Sequence, residues 1–291
     1  MSEQSAEGQS RPERMELRDP IALAAFEGWN DAGDAASGAV AHLAEVWTAN
    51  PVVALDPEPY HDFQVNRPTV SIADDGRHRI TWPTTRISWA RPPGAERDVV
   101  LVRGIEPSMR WRTFTEEILG HLSKLGVRTL VTLGAMLADV PHTRPIPVTS
   151  TSEDEELLRR LALERSRYEG PTGIVGVLQH AARTSDLPAL SLWAAVPHYV
   201  GQSPSPKAVL ALLNRVEELI GVPIPLGDLV EESRAWEHGV DELAGEDEEI
   251  GEYVRQLEQA KDTAELPEAT GEAIARDFER YLRRRGEGSP G

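Results

Sequence analysis

The chain has 291 residues and a formal net charge of −18, from 48 Asp and Glu against 30 Lys and Arg. Such a charge repels nucleic acid and anionic membrane surfaces. The mean hydropathy is −0.38, and no apolar run approaches the roughly 18 residues of a spanning helix. Cysteine is absent, which removes disulfides, thiolate metal sites, iron–sulfur clusters and a cysteine nucleophile.

Length allows one large domain or two ordinary ones, and a hydrophobic share of 40% supplies a core. Residues 1–15 are polar, lack the apolar centre of a signal peptide, and are expected to form a frayed tail. A cytoplasmic location follows by default. Ile21–Phe26 is an apolar run suited to a buried strand. A turn-rich link then leads into a helix from Asp34 to Trp47, on which Val40, Leu43, Ala44 and Trp47 share one face. Asn30 and Asp31 lie in that link. Asp31 or Asp34 suits a helix cap, while strand-to-helix loops are also where α/β proteins place ligands. Val52–Leu55 is the next strand. From Asp56 to Pro93 the texture becomes Pro, Asp and Arg around two short strands, Thr69–Ala73 and Arg79–Trp82, joined at Asp74-Asp75-Gly76. This is an antiparallel insertion that Tyr60, Phe63, Trp82 and Trp89 either pack or present as a binding surface.

Val99–Val102 is a central strand running into Arg103–Arg112. Pro107 and Ser108 suit a helix start; Trp111, Phe114, Ile118, Leu122 and Leu125 continue at helical spacing, and Gly126 ends the helix. Thr129–Leu133 is a second buried strand, which the pattern ends at Gly134. Together they form a βαβ unit and hence a parallel sheet. Asp139, His142 and Arg144 follow, clamped between Pro141 and Pro145, whose fixed φ prevents a simple helical continuation. Ser152 and Glu155 have capping-box spacing at another helix start. A helix through His180, a strand over Leu187–Val196 and a helix from about Ala208 to Ile220 complete the body.

The fold class is therefore α/β over residues 16–225: a mixed, largely parallel sheet flanked by helices, with the small antiparallel insertion. Residues 226–285 read as an all-helical acidic extension and 286–291 as a disordered tail. Between Asp228 and Asp262 thirteen acidic residues face only Arg234, Arg255 and Lys261. Trp236, Val240, Leu243, Ile250, Val254 and Leu257 keep a heptad-like spacing that Gly245, Asp247 and Gly251 interrupt, which predicts a helical hairpin. Ile274, Phe278 and Leu282 mark a last helix. The acidic face is either solvated or a protein-binding hook.

Three strand ends carry polar clusters: Arg103–Arg112, Asp139–Arg144 and His198–Lys207. In a parallel sheet they emerge at one carboxyl edge, where open α/β sheets present ligands. Arg103, Glu106, Arg110 and Arg112 suit an anion clamp; the plainer reading is an Arg103–Glu106 ion pair bracing the turn. Gly170, Gly173 and Gly176 at a helix start leave N–H groups for a phosphate, yet a P-loop ending and a dinucleotide fingerprint are missing, and tight packing also explains them. Asp139 beside His142 suggests a carboxylate-oriented general base, or else a structural loop histidine. His198 and Tyr199 bring a second imidazole and a phenol to the edge. No GxSxG elbow supplies a nucleophile, and His142 and His198 lack metal-ligand spacing. No catalytic residue, metal or cofactor is assigned.

With these segments in view, the chain resembles the proteasome assembly chaperone family in its actinobacterial form. The resemblance rests on Gly28-Trp-Asn-Asp-Ala-Gly33, Arg103-Gly-Ile-Glu-Pro-Ser108 with Trp111, and Ala138-Asp-Val-Pro-His-Thr-Arg-Pro145. It continues through Gly170–Gly176, Ser191–Tyr199 and Pro204-Ser-Pro-Lys207, covering about residues 20–220 in order. It implies a phosphorylase/hydrolase-like core related in shape to nucleoside phosphorylases. It also implies a homo-oligomer, a trimer among the forms expected, and protein partners, proteasome subunits included, in place of catalysis. Such chaperones often dock through a C-terminal hydrophobic-Tyr-any tail. This chain ends Ser289-Pro-Gly291 with its nearest match at Arg280-Tyr-Leu282, so docking by tail insertion is not expected. The competing expectation is an enzyme or binder for a small anionic or nucleoside-like ligand at the strand ends.

Overall fold

Six consecutive apolar residues, Ile21–Phe26, can be buried only where both faces of a sheet are covered. The computed structural model, which describes residues 16–265 apart from Gln202, puts them at such a place. Along the chain, β1 (Ile21–Glu27) leads through a short 3-10 turn to α1 (Ala35–Val46). Then come β2 (Asn50–Ala54), β3 (Thr69–Ile72), β4 (His78–Thr81), β5 (Arg86–Ala90) and β6 (Val99–Ile105). The second half holds α2 (Trp111–Lys124), β7 (Thr129–Ala138), β8 (Val148–Ser152), α3 (Glu155–Leu161), α4 (Ile174–Thr184) and β9 (Ala189–Pro197). It closes with α5 (Pro206–Ile220), α6 (Leu229–Glu246) and α7 (Glu248–Glu265). The expected tails, the helix through Ile274, Phe278 and Leu282, and the Arg280-Tyr-Leu282 match lie outside the described residues.

Seven strands form one sheet in the order β2-β5-β6-β1-β7-β9-β8. Its centre, β6-β1-β7-β9, is parallel; β5 on one side and β8 on the other pair with it antiparallel, and β2 pairs antiparallel with β5. Alternation along β1 sends Ile21, Leu23 and Ala25 towards α1 and α5, and Ala22, Ala24 and Phe26 towards α2 and α4. The α/β expectation therefore holds, with β1 seated between the two strands of the β6-α2-β7 unit. Among the described residues, no helix is long and apolar enough to cross a membrane.

Three local expectations are corrected, and two strands were not foreseen. β7 runs past Gly134 to Ala138, because that glycine makes room for a neighbour: a Cβ there would lie 2.6 Å from the Trp193 ring of β9. The helix expected from Pro107 starts at Trp111, since the Ser108 and Met109 N–H groups donate to the Tyr60 carbonyl. Its far end is as expected: Gly126 N–H bonds Ser123 and Val127 N–H bonds Leu122, a Schellman closure with Gly126 at φ 75°. Ser152 ends β8 and donates to the Ala189 carbonyl, while Asp154 caps α3 through the Glu156 and Leu157 N–H groups. β8 was not anticipated, because its Val-Thr-Ser-Thr-Ser sequence lacks an apolar run, nor was β5, which takes the end of the expected Asp56–Pro93 insertion into the main sheet beside β6.

One buried acid ties the N-terminal entry to the sheet. Asp98, with no exposed side-chain surface, accepts from the Arg91 guanidinium at 2.8 Å, the Arg18 guanidinium at 3.1 Å and the Arg18 N–H at 2.9 Å. The hydrogen bonds from Arg91 outweigh burial and hold its carboxyl down at about 2. A folded value below the unfolded one means a contribution that is complete above the ordinary carboxylate value of 3.8 and drains away as the pH falls towards 2. Denaturant unfolding of the wild type should thus weaken through that window. Asp98→Ala should cost about 2–3 kcal/mol at neutral pH and flatten that part of the acid dependence.

Candidate functional site

Because β6, β1, β7 and β9 are parallel, the segments after Ile105, Glu27, Ala138 and Pro197 all leave the sheet at one edge. The clusters expected there are there. They sort into two groups.

The first is built on the link after β1. The Asn30 carbonyl accepts from the Ala135 N–H at 2.8 Å, locking the link to β7. Asp31 turns its Oδ1 onto the Ala36 and Ser37 N–H groups at 2.7 and 3.1 Å, so it supplies the expected cap for α1. Burial pushes its carboxyl above the ordinary range, against those hydrogen bonds. Glu106 reaches the start of α4, where its Oε1 accepts from the Ile174 N–H at 2.8 Å. A carboxylate at a helix N-terminus is favoured by the free N–H groups and the dipole. Gly173 precedes Ile174 because no side chain fits: a Cβ would lie 1.9 Å from Asn30 Oδ1 and 2.8 Å from Glu106 Oε1. The helix start proposed for a phosphate therefore already holds an internal anion.

Arg103 pairs with Glu27 at 3.6 Å in place of the expected Glu106, which is engaged on α4. Arg110 sits at φ 56° as the residue before α2, near Tyr60. The Tyr60 hydroxyl donates to Glu117, and burial together with that carboxylate holds it up to about 12.

The second group gathers Asp139, His142, Arg144, His198 and Tyr199, and α6–α7 lies against it. His142 is fully buried. The Tyr199 hydroxyl accepts from the His142 backbone N–H and contacts Nδ1, both at 2.8 Å, and Nε2 meets Asp241 of α6 at 2.9 Å. In the tautomer that carries its proton on Nε2, the hydroxyl donates to Nδ1 and Nε2–H donates to Asp241. Burial holds Tyr199 protonated, up to about 12. The His142 carbonyl takes the Lys207 ammonium, which also pairs with Glu237. Arg144 forks onto Asp262 at 2.8 and 2.9 Å and reaches Glu258 at 3.3 Å.

The expected Asp139–His142 couple is not formed. Asp139 accepts from Tyr253 of α7 at 3.0 Å and faces His198 at 3.4 Å, and the carboxylate on His142 is Asp241, 99 residues downstream. Tyr253 and Tyr199 flank the His198 ring at 5.3 and 5.7 Å. Asp241, Tyr253, Glu258 and Asp262 were not singled out beforehand. The available signal was charge complementarity between an acidic hairpin and loops bearing His142, Arg144 and Lys207.

Glu106→Ala should lower stability by about 1 kcal/mol and reopen the α4 N-terminus. Added sulfate should then raise the melting temperature of the variant more than that of the wild type.

The fold is shared with solved proteins. A PAC2 family protein from Streptomyces avermitilis matches with a TM-score of 0.77 at 60% identity, over 81% of this chain and all of that one, 100%. The proteasome-assembly chaperone homologue of Mycobacterium tuberculosis matches with a TM-score of 0.73 at 54% identity, over 80% of this chain and 99% of that one. PbaB of Pyrococcus furiosus, an archaeal proteasome activator, shares the fold alone, with a TM-score of 0.63 at 19% identity over 80% and 96% of the two chains. Among curated proteins the chain has no match. Residues 25–244 match the PAC2 family and contain every motif on which the resemblance rested, and the chain belongs to that family.

Proposed function

We propose that this chain is a non-catalytic, oligomeric protein-binding factor that acts in proteasome-related assembly in the cytoplasm. One observation carries the reading: at the carboxyl edge the chain's own groups occupy the polar anchors a substrate would use. Glu106 fills the α4 N-terminus, Asp241 and Tyr199 take both ring nitrogens of His142, and Glu258 and Asp262 hold Arg144. Beside the exposed Arg103, Arg110 and His198, the edge also leaves apolar side chains open. Trp29, Met109, Met136, Leu137 and Tyr168 are exposed. Trp29 precedes Asn30 and Asp31, which bridge to Ala135, and Met136 follows Ala135 on β7. Trp, Tyr and Met are the side chains that protein interfaces favour and that carry their hot spots. The likeness to the mycobacterial assembly-chaperone homologue directs the choice of partner to proteasome subunits.

Co-expression with proteasome subunits followed by affinity capture tests this. The wild type should retain them, and Trp29→Ala combined with Met136→Ser should reduce retention about tenfold or more without moving the melting temperature. A wild type that retains no proteasome subunit sinks the proposal.

A second reading, a binder of a small anionic or nucleoside-like ligand, has one observation in its favour. Asn30 Oδ1 and Asp31 Oδ2 are buried with no hydrogen-bond partner among the described residues. Such groups ordinarily find one. Nucleosides or phosphate should in that case raise the melting temperature, and Asn30→Ala should abolish the rise. A flat thermal profile with both ligand classes removes this reading.

A further inference from the structure

α1 packs over β1, β6 and β7. Beside it, where β6, β5 and β2 run next to one another, the outer corner of the same sheet face opens as a groove of about 750 Å³. That volume lies within the roughly 300–1,000 Å³ of small-molecule sites. Register sets one row of residues across this face: Ala54 of β2, Arg86 of β5, Arg103 of β6 and Ala25 of β1. Arg86 and Arg103 are thus direct cross-strand neighbours, and both line the groove. Like charges set opposite each other destabilise a sheet.

The chain does little to offset that cost. The alanines at the ends of the row carry no charge. Glu27 lies 3.6 Å from Arg103, too far for a hydrogen bond. Among the described residues the Arg86 guanidinium has neither a carboxylate nor a hydrogen-bond acceptor. Two arginines against one glutamate leave one positive charge unmatched, in a chain that carries 48 acidic residues. Were the pair a structural brace, one of those acids would sit on it. The pair points to a carboxylate supplied from outside, which guanidinium forks match in geometry.

The other lining residues indicate what that carboxylate is attached to. Val40 and Ala44 of α1, Val52 of β2 and Trp82 give the groove apolar walls. We infer that the groove binds a small monocarboxylate with an apolar body, its carboxylate accepting from Arg86 and Arg103 and its body lying against Trp82 and α1. Charge selects a monoanion. One carboxylate neutralises the excess, whereas a phosphate monoester, at about −1.5 to −2, overshoots it in a protein already at −18. Apolar walls select the body, because a wholly polar anion leaves them in water. The inference is independent of the proposed protein partner.

Calorimetric titration of the full chain with hexanoate, hexanamide and inorganic phosphate tests this. Hexanoate should bind with a dissociation constant of about 1 mM or below. Hexanamide keeps the body and loses the charge, and phosphate keeps charge and loses the body; each should bind at least tenfold more weakly. Arg86→Gln should weaken hexanoate at least tenfold. The same variant should raise the melting temperature of the ligand-free protein, because it removes one of two opposed charges. Arg234→Gln, an equal charge change on α6, should alter neither quantity. Absence of hexanoate binding, or hexanamide binding as tightly, overturns the inference. Phosphate binding as tightly as hexanoate overturns it as well. So does a ligand-free Arg86→Gln that melts below the wild type, which would make Arg86 part of the framework.

Discussion

The constraint on which the carboxyl edge depends is the complete burial of His142. A histidine without exposed surface brings an N–H, a carbonyl and two ring nitrogens out of water, and each must find a partner in the protein. The loop that carries it is stiffened by Pro141 and Pro145 and cannot fold back to satisfy itself. The partners come instead from three later elements: Tyr199 from the turn after β9, Lys207 from α5 and Asp241 from α6. Leaving one such group unpaired would cost about 1–3 kcal/mol. The position of α6 over the edge is thus coupled to the folding of a loop nearly a hundred residues earlier.

Charge alone would not hold the acidic hairpin there. The Arg144, Lys207 and Asp139 contacts are partly exposed, and such pairs contribute at most about 1 kcal/mol each. Burial of Leu229, Val240 and Val254 contributes more, about 1.5–3 kcal/mol for each fully buried aliphatic side chain. Apolar burial fixes that α6 and α7 dock; the ion pairs fix which way they face. That division explains how a segment so acidic can lie against the body of an acidic protein: the residues it covers are the loop's His142 and Arg144 and Lys207 of α5.

Legibility in the sequence followed the range of the physics. Apolar runs, proline breaks and the Gly126 closure are local, and they placed the parallel strands, most helices and the shared edge. Gly134 was misread because its role is set by a ring on the neighbouring strand; nothing adjacent in the chain distinguishes a glycine that ends a strand from one that accommodates Trp193. β8 went unseen because an edge strand covered on one side can be built from Thr and Ser. The site was legible as a set of residues but not as a set of pairs. Asp139 was assigned to His142 on proximity in sequence, whereas a carboxylate from α6 had the geometry to reach it.

Those pairings bear directly on function. A largely parallel α/β architecture supplies strand ends, a helix N-terminus and loop histidines, but a fold hosts many activities and its sites must be argued residue by residue. Here the helix N-terminus carries Glu106, and the imidazole that would serve as a base is sealed between a phenol and a carboxylate. An anion binding there would have to displace a carboxylate already positioned without loss of translational freedom, a competition that favours the internal group. Trp29, Met136 and Leu137, by contrast, stand in water at the same edge with nothing to displace. Binding energy is available where surface can still be buried, and these exposed apolar side chains offer such surface, which supports the proposed protein partner.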